Sequence, residues 1–174
     1  MGSGLKRNGY TLIELALVVF LIGLMLVLAV PRVRETLISD GLKKTVRQLV
    51  GAAKELRTDA VREQLDYKLN LDLSNNAFWT SSQDMTSEKL DEQRKKALHF
   101  PEGVRIADVS QMGMEKKSDG EISVKFFKQG NIQPTVIHLA KEQRHFTILL
   151  SPFLNTIKIY DKYADVTPEG VERD

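Results

Sequence analysis

From Leu15 to Val30 the chain carries no charged residue. Extended back to Thr11, the stretch reaches about 20 residues with a single acid, Glu14, and at about 1.5 Å per residue a helix of that length spans the core of a bilayer. Lys6 and Arg7 stand just before it. The positive-inside tendency then keeps the N-terminus cytoplasmic and exports the C-terminal bulk. No later stretch is apolar for long enough to cross again.

The remaining sequence is more polar and long enough to fold by itself. The chain has no cysteine, which excludes a disulfide framework, a thiolate metal site and a cysteine nucleophile. Its formal net charge is +2, and Lys6 with Arg7 supplies both charges. The rest is balanced, so bulk charge makes no case for nucleic-acid binding.

Three readings of the N-terminal block compete. A plain signal anchor explains the apolar run and leaves Glu14 without a role. A cleaved secretory signal has a small-residue site at Val27-Leu28-Ala29, but places Pro31 almost at the cut and has a long apolar core. The third reading is a prepilin signal. Gly9-Tyr10-Thr11-Leu12-Ile13-Glu14-Leu15 resembles the cleavage region of type IV pilins and type II secretion pseudopilins.

That resemblance implies cleavage after Gly9 on the cytoplasmic side, retention of the apolar helix, and methylation of the new amine on Tyr10. Glu14 then falls at the fifth mature position and Pro31 at the twenty-second, where the family has its glutamate and commonly a kinking proline. Tyr10 departs mildly from the usual phenylalanine or methionine. The family's glutamate pairs with the N-terminal amine of a neighbouring subunit, and the physics agrees. A buried acid near the end of an apolar helix is costly and calls for a partner. The implied divisions are a leader at 1–9, a membrane and filament-core helix at 10–31, its amphipathic continuation at 32–66, and a β-rich periplasmic domain at 67–174.

Beyond Pro31, with Gly23 a second weak point in the helix, apolar residues recur at Val33, Leu37, Leu42, Val46, Leu49, Ala53, Leu56, Ala60 and Leu65, the spacing of a helical stripe. At Tyr67 the period changes to two. Tyr67 to Leu73 alternates as a strand with one wet face, Ser74-Asn75-Asn76 is a turn, and Ala77-Phe78-Trp79-Thr80 returns. The polar segment near 81–97 reads as a surface insertion with a short helix starting at Ser87-Glu88. Further strands are expected at Val104 to Ile106, Ile122 to Lys128, Thr135 to Leu139, Phe146 to Leu150 and Thr156 to Tyr160. The tail after Ala164 reads as polar and frayed. The expected class is α+β, a long N-terminal helix packed on a small antiparallel sheet or sandwich.

Val124-Lys125-Phe126-Phe127-Lys128-Gln129-Gly130 followed by Val136-Ile137-His138-Leu139 resembles the late strands of minor pseudopilins of the GspH/FimT type. The major pseudopilin's calcium-loop pattern is not recognisable. The resemblance implies a minor pseudopilin of a type II secretion system in the bacterial inner membrane. Its partners would be a prepilin peptidase, other major and minor pseudopilins, the inner-membrane assembly platform and exported cargo. No cofactor is expected. The alternatives are a minor pilin of a type IV pilus, serving adhesion or DNA uptake, and a membrane-anchored enzyme or binding module.

Catalytic patterns are missing from the sequence. His99, His138 and His145 are the only histidines, and no third ligand is spaced to join His138 and His145 around zinc. No phosphate loop, nucleophile elbow or zinc-helix pattern occurs. Lys95-Lys96 and Lys116-Lys117 read as solvated loop charges, and Trp79 with Phe78 as core.

Overall fold

A computed structural model describes residues 12–151 and 157–167, with side chains at 12–25, 41–151 and 157–167. The chain forms two compact units, Met1–Ile38 and Ser39–Asp174. Helix α1 (Leu12–Glu63) begins in the first unit and ends in the second. In the second unit Leu42, Val46, Leu49, Ala53, Leu56 and Ala60 are buried at the spacing read from the sequence. Val33 and Leu37 of the same stripe lie outside the described side chains. Leu65 lies beyond the end of α1, which stops at Glu63 rather than near 66. Gln64 adopts a left-handed φ of 55°, and its side-chain amide donates to the Val61 carbonyl at 2.8 Å, closing the last turn.

Among the described residues the domain contains eight strands and a second helix: β1 (Tyr67–Asp72), β2 (Ala77–Ser82), α2 (Ser87–Lys95), β3 (Leu98–His99), β4 (Arg105–Gln111), β5 (Glu121–Phe126), β6 (Thr135–Lys141), β7 (Arg144–Leu150) and β8 (Ile157–Tyr160). They build two four-stranded sheets, ordered β3-β2-β1-β5 and β4-β6-β7-β8, with every pairing antiparallel. The α+β expectation holds. One continuous core joins α1 side chains to Leu69, Leu71, Phe78 and Phe126 of the first sheet and to Val109, Ile137, Leu139 and Ile148 of the second.

Several boundaries differ from the sequence expectations. Ser81 belongs to β2, is buried, and accepts from the Asn70 side chain at 3.0 Å, so the polar insertion starts later than 81. Within the insertion α2 buries no residue, and the Thr86 hydroxyl caps its N-terminus. β4 runs to Gln111 rather than ending at Ile106, because Asp108 and Gln111 are polar residues turned inward against partners. Asn76 holds the β1–β2 turn with φ of 49°. Its side-chain oxygen accepts the Ile106 amide at 2.9 Å, and its carbonyl accepts the Phe100 amide at 2.9 Å, which ties the first sheet to the second. Gly130, at φ of 87°, makes the turn after β5.

β6 is buried on both faces for most of its length, and so is the later part of β7. One face meets the main core. The other meets a separate small cluster of Val136, Leu149, Ala164 and Val166, with Tyr160 packed against it. The segment after β8 is therefore anchored through Val166 rather than frayed from Ala164. Ala164 and Val166 shield that outer face from water.

Candidate functional site

Residues 12–25 form an apolar helical segment whose side chains are exposed throughout. Leu12 is 87% exposed, Ile13 78%, Met25 72% and Phe20 67%. A helix that is apolar all round is stable only inside a larger helical assembly or a bilayer. Glu14 is the acid in its first turn. Gly9 and Tyr10 lie outside the described residues, and Pro31 lies outside the described side chains. Among the described residues no helix is long and apolar enough to cross a membrane.

Trp79 is only partly buried, against the core expectation. Successive strand residues face opposite sides of a sheet, so with Phe78 inward Trp79 points away from the core. There the Arg94 guanidinium of α2 sits 5.6 Å from the indole centroid and also pairs with Glu121 of β5. The stacked cation and the ion pair hold α2 on the outer side of the first sheet.

His138 and His145 lie on β6 and β7 of the second sheet, and Lys116 lies in the connection between β4 and β5. His99 is on the short β3, away from the others. His138 is 1% exposed on β6. Its Nδ1 lies 2.6 Å from Asp108 Oδ1 and its Nε2 lies 3.1 Å from the Ala164 carbonyl. Tyr163 stacks on the His138 ring with centroids 4.0 Å apart, while His145 meets Tyr163 edge-on at 6.0 Å. Tyr163 donates to Asp108 Oδ2 at 3.2 Å. Lys116 is not merely a solvated loop charge, since its Nζ donates to the Tyr163 hydroxyl at 2.7 Å and stands 3.8 Å from Asp108. Asp108, an acid within a β-rich sequence, was the one available signal for this cluster.

Burial pushes the Asp108 carboxyl up, but the His138 hydrogen bond and charge, the Lys116 charge and the Tyr163 hydroxyl outweigh it. The net result holds the carboxyl below its usual range. The native protein therefore binds fewer protons at Asp108 than the unfolded chain. This contribution to stability is complete above the unfolded value of about 4 and is lost as pH falls through the lower folded value. In urea titrations across acid pH, the advantage of the wild type over Asp108→Asn is expected to shrink as pH drops below about 4. A gap independent of pH there would refute the assignment.

A groove of about 860 Å³ between α1 and the residues Ile132 and Ile157 is lined by Ala53 and Val61 and by the cations Lys54, Arg57 and Arg62. No acid, histidine or tyrosine lines it. That lining provides no general acid–base pair. Among the described residues no group of three or more His, Cys, Asp or Glu side chains could hold a metal ion.

A helix leading into two antiparallel sheets around one core defines a pseudopilin-like fold. Two solved structures of the minor pseudopilin EpsH from the type 2 secretion system of Vibrio cholerae are similar to it. One aligns with a TM-score of 0.54 at 10% identity, covering 71% of this chain and 97% of that one. The other aligns with a TM-score of 0.52 at 11% identity, covering 70% and 96%. At such identity the likeness is one of fold. No family model matches the sequence, and no curated protein matches it.

Proposed function

We propose that this chain is a minor pseudopilin, a structural subunit of the periplasmic pseudopilus of a type II secretion system, and not an enzyme. The observation that carries the reading is the pairing of a pseudopilin-like domain with an exposed apolar helical segment at residues 12–25. The N-terminal motif Gly9-Tyr10-Thr11-Leu12-Ile13-Glu14 supports it. In this reading residues 1–9 are a cytoplasmic leader and residues 10–31 anchor the precursor in the inner membrane. A prepilin peptidase cuts after Gly9 and the Tyr10 amine is methylated. The apolar helix then leaves the bilayer for a bundle of like helices from major and minor pseudopilins at the assembly platform. Close van der Waals packing against neighbouring helices, with release of the lipid they displace, favours that bundle. Residues 32–66 continue the helix with a bend at Pro31. The domain at 67–174 faces neighbouring subunits or exported cargo.

The test is intact mass and N-terminal sequence of the membrane-bound protein, expressed with and without a prepilin peptidase. A peptidase-dependent start at a methylated Tyr10 is the expected result. A start at Val30, or an unprocessed Met1 form in the presence of the peptidase, would remove the filament reading.

A further inference from the structure

The segment 163–166 crosses the outer face of β6 and β7, and the contacts that hold it there are largely polar ones made by side chains. Thr147 Oγ1 donates to the Lys162 carbonyl and accepts the Ala164 amide, both at 2.9 Å. His138 Nε2 donates to the Ala164 carbonyl at 3.1 Å. On the other side of the imidazole stands the Asp108 carboxylate. A carbonyl cannot donate, and neither can a carboxylate. Nε2–H donates to the carbonyl, and a proton between Nδ1 and Asp108 Oδ1 completes the second contact. Lys116 from the β4–β5 connection and Tyr163 from the segment itself face the same carboxylate, and His145 of β7 faces Tyr163.

We propose that Asp108 and His138 form a latch, and that 163–166 is a strap that opens as a local unit while the domain stays folded. Two features separate the strap from the rest of the domain. Its apolar anchors, Ala164 and Val166, belong to the small cluster with Val136 and Leu149, not to the main core. Its polar grip passes through two buried side chains, His138 and Thr147, and the Asp108 carboxylate orients the first of them, so replacing that carboxylate removes the acceptor that His138 Nδ1 faces. Opening uncovers Val136 and Leu149, both fully buried when the strap is closed. Local opening of this kind costs less than global unfolding, because it forfeits only the contacts of the opened unit.

The test is native-state hydrogen exchange on the complete chain, read by mass spectrometry, with peptides reporting the strap and β1. In the wild type, strap exchange is expected to be insensitive to low urea, whereas β1 exchange rises with it. Asp108→Asn is expected to accelerate strap exchange by roughly tenfold or more with β1 unchanged within about twofold. Thr147→Val removes the two strap contacts at Thr147 without touching the ion pair, and is expected to accelerate the strap in the same selective way. It also serves if Asp108→Asn does not fold. Parallel acceleration of strap and β1 in the folded variants, or no acceleration in either, would overturn the latch.

Discussion

Phe126→Ala is expected to lower stability by about 3–5 kcal/mol, the usual cost of deleting a buried aromatic ring. Phe126 is completely buried at the end of β5. It sits opposite Tyr67 on β1 and forms an isolated bridge with Ile132 across the Gly130 turn. It belongs to the core shared by α1 and both sheets, so the void would open where three elements meet. Collapse around such a void is resisted from every side, which places the cost toward the upper end of the range. Phe127, one residue on, is only partly buried, and Phe127→Ala should cost clearly less. Urea titration checks this through the midpoint, with the slope unchanged. A loss below about 1 kcal/mol for Phe126→Ala would mean that the core does not depend on that ring.

Glu14→Ala is the second large effect, and it falls on assembly rather than folding. Glu14 lies in the first turn of α1 with apolar residues around it. Under the proposed function, cleavage after Gly9 creates a cationic amine on Tyr10 of each subunit. In a packed helical core an acid from one chain and the amine of its neighbour would fix the axial stagger between them. Losing one partner leaves the other charge buried and unpaired, which is strongly destabilising. We expect Glu14→Ala to insert in the membrane as well as the wild type and to enter filaments at least about tenfold less, an effect equivalent to roughly 1.4 kcal/mol or more. Membrane fractionation and quantification of sheared filaments read the two quantities separately. Equal incorporation would sink the pairing idea while leaving the pseudopilin reading to the processing experiment.

The local patterns were legible because they depend on near neighbours. The stripe from Leu42 to Ala60 repeats at the helical period, and those positions are buried together. Tyr67 to Leu73 alternates, and β1 with β2 forms the hairpin read from Ser74-Asn75-Asn76. The late strands after Pro134 were found within a residue or two, since runs of β-branched and aromatic residues bounded by turns have few other uses.

The uncharged stretch, the bases before it and the motif around Glu14 were set by sequence alone, as were the helix-to-strand switch near Tyr67 and most strand positions. These follow from periodicity and the energetic cost of charge in an apolar run. Tertiary structure decided which side of each element is buried. Phe78 and Trp79 carry equal claims to the core, the pleat lets only one of them face it, and packing puts Phe78 inward and leaves Trp79 to Arg94 of α2. β6 reads as a strand whatever covers it. That both its faces are buried depends on a segment more than twenty residues later folding back over His138. Asp108, Lys116, His138 and Tyr163 share no spacing that marks them as one group. Long-range packing brings them together, with Asp108 and His138 buried at the centre and Lys116 and Tyr163 at the exposed edge.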